Sequence, residues 1–340
     1  MTLTIVVDAM GGDNAPQEPV IGSAAFALEN PDINVLLTGQ EGAVRDVIAS
    51  QSLQIPSNLE IVHAEEIVGM EESPVSAVKE KKDSSIARAV QLVKDGKADA
   101  LISAGNTGVV VAQCILELKR IPNIKRPGII NPFPSEKGLF YMLDAGANSE
   151  SKPEYLFQHA LLGAVYCKYF LEKEKPTVAL LNIGTEETKG NELVREANKL
   201  INEIEDPFFE YKGYVEGSHL FQGDYDLVVC EGFVGNVVLK LAEGISKSIF
   251  RIISSEVTQG TVRKVGAALL KNAFGSIKTS FDYEYYGGAM LIGINGICTI
   301  LHGASSRISF TNGLKTTSKF CEKEIIMHLK KYISLLKKEN

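Results

Sequence analysis

Five short stretches hold most of the chemistry this chain could perform. They are Asp8-Ala9-Met10-Gly11-Gly12-Asp13, Ser103-Ala104-Gly105-Asn106-Thr107-Gly108, Asp144-Ala145-Gly146-Ala147-Asn148, Asn182-Ile183-Gly184-Thr185-Glu186-Glu187-Thr188-Lys189-Gly190 and Glu231-Gly232-Phe233-Val234-Gly235-Asn236. Gly, Asp, Asn, Ser and Thr are turn builders, so each stretch reads first as a loop. Glycine also lets the backbone approach a ligand, and a following helix offers unpaired N–H groups at its positive end. Such loops suit an anionic group such as phosphate.

The side chains are mostly neutral donors with few charges: Lys189, Asn236, Asn106, Thr107 and Asn148. That set suits a nucleophile that is already ionised. Inorganic phosphate carries much of its second negative charge near neutral pH and needs aiming more than deprotonation. Its attack on a thioester carbonyl would require a cation to hold it and donors for the developing oxyanion. Losing one such donor costs on the order of 2.7–4 kcal/mol. Asn236 falls at the expected start of a helix at Val237, where the competing role is an N-cap. Lys189 follows two carboxylates in a glycine-bounded loop, where a solvated, salt-bridging lysine is the plainer reading.

A basic stretch, Lys79-Glu80-Lys81-Lys82-Asp83-Ser84-Ser85, precedes a helical pattern. Ser84 is a natural N-cap there, while Lys82 and its neighbours could meet phosphate or an acidic protein, or stay solvated. His302, before Gly303, could donate a proton to a leaving thiolate or be an ordinary hydrogen-bonded histidine. Several familiar devices are missing: a Gly-x-Ser-x-Gly elbow, a Walker loop, a His-Glu-x-x-His pair, and Gly-x-Gly-x-x-Gly after the first strand. His219 and Asp224 match the His-x4-Asp spacing of glycerolipid acyltransferases. That spacing arises by chance in roughly one comparable chain in six.

The elements that must position these residues alternate between short apolar runs and longer amphipathic stretches, the signature of βαβ units. Strands are expected at Leu3–Val7, Asn34–Leu37, Leu59–Val62, Ala98–Ile102, Leu139–Leu143, Val178–Leu181 and Leu227–Val229. Helices are expected at Pro19–Glu29, Ser84–Lys94, Thr107–Lys119 and Glu192–Ile204. Five of the strands end in the loops above, which should gather at one edge of an open, mostly parallel, Rossmann-like α/β sheet flanked by helices. No linker or repeat divides residues 1–340, so one α/β domain is expected.

The chain has 340 residues, 45% of them apolar, 23% charged and a net charge of −7. A negative balance argues against nucleic acid as a partner, since binding phosphate backbones needs a basic face. Five scattered cysteines without a Cys-x-x-Cys pair indicate free thiols in a reducing compartment. The start lacks a signal-peptide pattern, and no apolar run approaches the roughly 18 residues of a spanning helix. A cytoplasmic enzyme is expected.

Taken in order, the loops resemble those of the PlsX family, the bacterial phosphate acyltransferases of phospholipid synthesis. The resemblance rests on Asp8–Asp13, Lys81–Ser85, Ser103–Gly108, Leu181–Gly184 with Lys189–Glu192, Gly232–Val237, Tyr286–Ala289 and His302-Gly303, from about residue 5 to 310. It implies transfer of a long-chain acyl group from acyl carrier protein to inorganic phosphate, giving acyl phosphate. It also implies a fold similar to phosphotransacetylases and isocitrate/isopropylmalate dehydrogenases, a homodimer, and no metal or organic cofactor. On the family's motifs, Lys189 and Asn236 become the catalytic residues. Substrate binding is expected from Asp8, Gly11, Gly12, Asp13, Lys82, Ser84, Asn106, Thr107, Gly108, Asn148 and His302.

The family docks peripherally on membranes through a helical hairpin, handing acyl phosphate to a membrane glycerol-3-phosphate acyltransferase. Here a basic amphipathic stretch at about 244–285 is its counterpart, with Val265, Leu269, Leu270 and Phe274 at the tip and Arg263, Lys264, Lys271 and Lys278 interleaved. Core packing or a dimer interface competes with that role. The alternatives are a phosphotransacetylase-like enzyme using acyl-coenzyme A, a dehydrogenase of related fold, and a non-catalytic lipid-pathway scaffold.

Overall fold

The computed structural model describes residues 2–205 and 207–335. Its strands in chain order are β1 (Leu3–Asp8), β2 (Ile33–Gly39), β3 (Leu59–His63), β4 (Ala100–Ser103), β5 (Gly128–Ser135), β6 (Gly138–Leu143), β7 (Thr177–Asn182), β8 (Glu210–Glu216), β9 (Leu227–Val229), β10 (Ala289–Ile292) and β11 (Ile297–Ile300). They form a single 11-stranded sheet in the order β3-β2-β1-β4-β11-β10-β5-β6-β9-β7-β8. All seven expected strands and all four expected helices are present, within two residues of their expected ends.

The four additional strands hide for identifiable reasons. β5 contains Pro132 and Pro134, which normally argue against a central strand. Both lie past Ile130, the last residue paired with β10, where β5 has only β6 beside it and no N–H is needed on the other side. β8 is an edge strand interrupted by Gly213 at φ 74°. β10 and β11 are four residues each, every one of them buried.

The expectation of a single loop edge is corrected. β3, β2, β1, β4 and β11 are parallel, and so are β6, β9, β7 and β8. Between these halves lie three antiparallel pairings, β11–β10, β10–β5 and β5–β6. An odd number of reversals makes the halves run in opposite directions. Their carboxyl ends meet in the middle because β10 and β11 are so short. Ile300 at the end of β11 faces Ala289, while Leu291 faces Ile129, whose carbonyl accepts from Ala145 N–H at 2.9 Å. The loop after β6 is therefore two residues, about 7 Å, along β10 from the end of β11.

Both faces of the sheet are covered, as parallel strands require. On one face the Pro153–Phe170 helix buries Leu156, Leu161 and Val165 with Val178, Leu180 and Leu227. On the other, Met142, Ala179, Val215 and Val228 pack with Leu220. The five cysteines are free thiols, and four are buried. The expected hairpin is longer than its pattern implied: the helix Gly232–Val257 is followed by Thr261–Leu269 and Lys271–Phe281.

Candidate active site

The site is organised around Asp144, whose side chain is fully buried. Its Oδ1 accepts from the N–H groups of Ile129 (3.0 Å), Gly146 (3.0 Å) and Ala147 (2.8 Å). Its Oδ2 accepts from the N–H and Nδ2 of Asn148, at 3.0 and 2.8 Å. A buried carboxylate is tolerated only when its oxygens are satisfied in this way. The loop it holds is the floor on which the Gly232–Val257 helix lands. A Cβ at Gly235 would lie 1.9 Å from the Asp144 carbonyl oxygen, and one at Gly232 would lie 2.3 Å from that of Asn148. Glycine at both positions allows the helix backbone to touch the loop.

This contact sets Asn236 beside Gly146, where a Cβ would approach the Asn236 side chain at 3.2 Å. Asn236 lies within the first turns of a helix whose N-cap position is Glu231, so the helix begins before Val237 and the competing N-cap role falls away. Its carboxamide is exposed and makes no hydrogen bond among the described residues. A donor held in place by its helix and left uncommitted can be given to a ligand.

Asn236 opens onto a cavity of about 290 Å³ that draws Thr107 from after β4, Gly146 from after β6 and His302 from after β11 into one lining. The same helix adds Lys240 and Glu243, one and two turns beyond Asn236. Lys240 Nζ lies 3.1 Å from Glu243 Oε2, and His302 Nε2 lies 3.9 Å from that oxygen. His302 Nδ1 accepts from Ala304 N–H at 3.1 Å, so in the neutral ring the proton sits on Nε2. Burial, reinforced by the charge of Lys240, pushes the His302 pKa below its usual value and keeps the ring neutral at pH 7. The cavity thus holds an ammonium paired with a carboxylate, a neutral N–H donor and a carboxamide. Lys240 and Glu243 were not singled out from sequence. The signal available was their spacing of four and seven residues from Asn236.

The first loop is structural support for this wall. Asp8 is buried, and Ser103 Oγ donates to its Oδ2 at 2.7 Å while Met10 N–H donates to Oδ1 at 3.3 Å. Burial raises its pKa, against the hydrogen bonds of Ser85 and Ser103. So enclosed, the Asp8 side chain stitches β1 to β4. Gly11 rests on Asp8 and the Gly105 backbone, and Gly12, at φ 108°, faces the Gly303 carbonyl. Asp13 is exposed, its N–H bonded to that carbonyl at 2.8 Å.

Asn106 caps the Thr107–Glu117 helix through Val109 N–H at 3.2 Å, and its Nδ2 donates to the carbonyls of Met70 and Glu72. Gly108 gives room to Pro74. Asn148 is committed to Asp144 and to the Pro127 carbonyl. Ser84 caps its helix as expected, through Ala87 N–H at 3.4 Å. Lys82 is exposed and outside the cavity. Lys189 is exposed on the loop after β7, beside β9 in the sheet, and does not line the cavity. Asn182 Nδ2 donates to its carbonyl at 3.3 Å. Asp224 is ion-paired with Lys137, and His219 stands exposed in a 3₁₀ turn, which leaves the His-x4-Asp spacing a coincidence.

On the hairpin, Val262, Val265, Leu269 and Leu270 are exposed, Leu269 by 83%. Phe274 is partly covered, and the side chain of Lys278 lies outside the described residues.

The fatty acid synthesis protein family model matches residues 3–328. A phosphate acyltransferase of Desulfitobacterium hafniense is 44% identical over 330 residues, covering 97% of each chain. One from Dictyoglomus turgidum is 43% identical over 324 residues, covering 95% of each. Among solved structures, a phosphotransacetylase from Streptococcus pyogenes superposes with a TM-score of 0.63 at 17% identity, over 94% of both chains. The EutD phosphotransacetylase of Staphylococcus aureus gives 0.60 at 19% identity, again over 94% of both. At those identities the structural likeness concerns the fold.

Proposed function

The chain belongs to the PlsX family of phosphate acyltransferases, enzymes of fatty-acid and phospholipid synthesis, and we propose that its donor is a long-chain acyl group on acyl carrier protein and its product acyl phosphate. One observation supports a long chain above all. The cavity beside Asn236 adjoins a second of about 750 Å³, lined by Phe133, Phe221, Leu239, Ala242, Ile249, Phe250 and Phe281. The two share Asn131, Pro132, Leu239, Glu243, Glu284 and Tyr286, so a ligand can hold its reactive end beside Asn236 and its tail among apolar side chains. Its size falls within the roughly 300–1,000 Å³ of ligand sites.

In this reading phosphate enters beside Lys240, and one of its oxygens attacks the thioester carbon. Asn236 Nδ2 and the neutral His302 Nε2–H are donors for the oxyanion, and the thiolate departs as the acyl–phosphate bond completes. A thiol of pKa about 8.5 is a tolerable leaving group near neutrality, so the demand falls on aiming and charge stabilisation. Lys189, catalytic by resemblance, reaches from the neighbouring loop to phosphate or the carrier arm in this proposal.

The test is a donor series from C2 to C16, on carrier protein and on coenzyme A, with acyl phosphate measured after supply of inorganic phosphate. Long-chain carrier donors should give the highest kcat/KM. Ala242→Phe should displace about two methylenes of the longest chain, costing about 1.6 kcal/mol, roughly fifteenfold in kcat/KM, while sparing short ones. Preference for acetyl-coenzyme A would overturn the proposal in favour of a phosphotransacetylase. No turnover of any donor would leave the scaffold.

A second copy of the chain is proposed to cover the stripe Val237, Leu241, Ile245, Ile249 and Ile252, spaced by three or four residues and about half exposed. Among the described residues no helix is long and apolar enough to cross a membrane. Peripheral attachment is proposed instead, through Val265, Leu269 and Leu270 with the adjacent Arg263, Lys264 and Lys271, from the cytoplasmic side and near the membrane glycerol-3-phosphate acyltransferase. Leu269→Glu with Leu270→Glu should reduce co-flotation with anionic vesicles at least about tenfold, since two buried apolar side chains are worth several kcal/mol. Undiminished flotation would refute this attachment.

A further inference from the structure

Between the Thr107–Glu117 helix and β5 the chain reads Leu118-Lys119-Arg120-Ile121-Pro122-Asn123-Ile124-Lys125-Arg126-Pro127, with four cations and no acid. All four cations are exposed, and none enters an ion pair among the described residues. The preceding acid, Glu117, is already taken by Lys94 at 2.6 Å. With Tyr155 the cations rim a cavity of about 640 Å³. On a chain of net charge −7, this is a local field of opposite sign.

The loop is held in place. Ile121 N–H donates to the Gly293 carbonyl at 3.0 Å, and Asn295 N–H to the Lys119 carbonyl at 2.8 Å. Gln158 accepts from Lys125 N–H at 2.8 Å and donates to the Asn123 carbonyl at 2.9 Å. The charges are therefore presented on a fixed frame. The four are spread over eight residues of the segment, and Lys119 Nζ and the Arg120 guanidinium also donate to the Leu116 and Lys125 carbonyls, a layout that suits a broad acidic surface better than a small anion. The loop's own apolar side chains Leu118, Ile121 and Ile124 are buried, so it lacks the apolar wedge that membrane binding needs.

The loop also runs directly into the catalytic wall. The Arg126 carbonyl accepts from His159 Nε2 at 3.2 Å and the Pro127 carbonyl from Asn148 Nδ2 at 2.7 Å. Ile129, three residues past Arg126 and so within about 10 Å of it, lines the cavity that holds Asn236. A protein seated on the loop could pass a flexible thioester arm to the acceptor.

We infer that Lys119, Arg120, Lys125 and Arg126 form the docking surface for an acidic carrier protein that presents the acyl group. This rests on the carrier-linked donor proposed above. Charge complementarity of this kind acts mainly on encounter, so it belongs in KM and in salt dependence.

The test is Lys125→Glu with Arg126→Glu, neither of whose side chains makes a hydrogen bond among the described residues. Expected is a rise of at least about tenfold in KM for acyl carrier protein, with kcat at saturation changed less than about twofold. Turnover of acyl-pantetheine, which carries no protein, should be unchanged. Added salt should raise the wild-type KM and leave that of the variant flat. The Lys125→Arg control should behave as wild type. An unchanged KM overturns the surface, as does equal loss with acyl-pantetheine, which would indicate damage to the active site. Loss of vesicle flotation with unchanged KM overturns it in favour of lipid. Titration with the acyl-free carrier separates the two proposals: if wild type bound the carrier but did not turn over its thioester, the donor assignment alone would fail.

Discussion

Asn236→Ala should lower kcat by a factor of about 10²–10³, the loss of one oxyanion donor in a preorganised site. The expected fall is equal in kcat and kcat/KM, because the carboxamide is needed where charge develops and not where substrate rests. Stability should hardly change. Asn236 is exposed, and its side chain makes no hydrogen bond whose loss would strand a partner among the described residues. Asn236→Asp should be at least as damaging, since it sets a carboxylate against both phosphate and oxyanion. Lys189→Ala is the companion experiment. Lying outside the cavity in this chain, Lys189 should express its loss chiefly in KM for phosphate or carrier. Full turnover by Asn236→Ala, measured as acyl phosphate formed in single-turnover and steady-state assays, would sink the catalytic assignment.

The strands that position this site are legible in the sequence, while only Thr107, Asn236 and His302 of the expected site residues line the cavity. The strands before Asp8, Ser103, Asp144, Asn182 and Glu231 announced themselves because each is an apolar run ending in turn residues. What the pattern could not carry was direction. β10 and β11 are too short to be distinguished from the glycine-rich segments around them, and β5 is disguised by Pro132 and Pro134. Without those three strands the reversal between the half-sheets is invisible, and the loops seem to share one edge. Asn106 and Asn148 fit a donor set by type, yet the structure commits them to Met70 and Asp144. Residue type identifies capacity for hydrogen bonding, while only packing decides whether that capacity is already used. Lys240 and Glu243 were missed for the converse reason. On a helix with charges on several faces, only the landing of Gly235 on Asp144 fixes which face looks into the cavity.

That landing leads to the second large expected effect. Gly235→Ala should cost about 3 kcal/mol of stability and reduce kcat by about 10²-fold or more. The added methyl would sit 1.9 Å from the Asp144 carbonyl oxygen and 3.0 Å from Cys230 Sγ. The first of these is a main-chain atom in a loop fixed by five hydrogen bonds to one buried carboxylate, so it has no rotamer through which to yield. The helix must then lift away, carrying Asn236, Lys240 and Glu243 from Thr107 and His302 across the cavity. A displacement of about an ångström is enough to lose the aim on which catalysis by positioning depends. Gly244→Ala, on the same helix with open space around its Cβ, provides the control. It should be neutral or more stable by about 0.5–1 kcal/mol through helix propensity, with kcat unchanged. Thermal melting and kcat measured on both variants decide the matter: if Gly235→Ala matched Gly244→Ala in both, the close approach of helix to loop would not be what holds Asn236 in place.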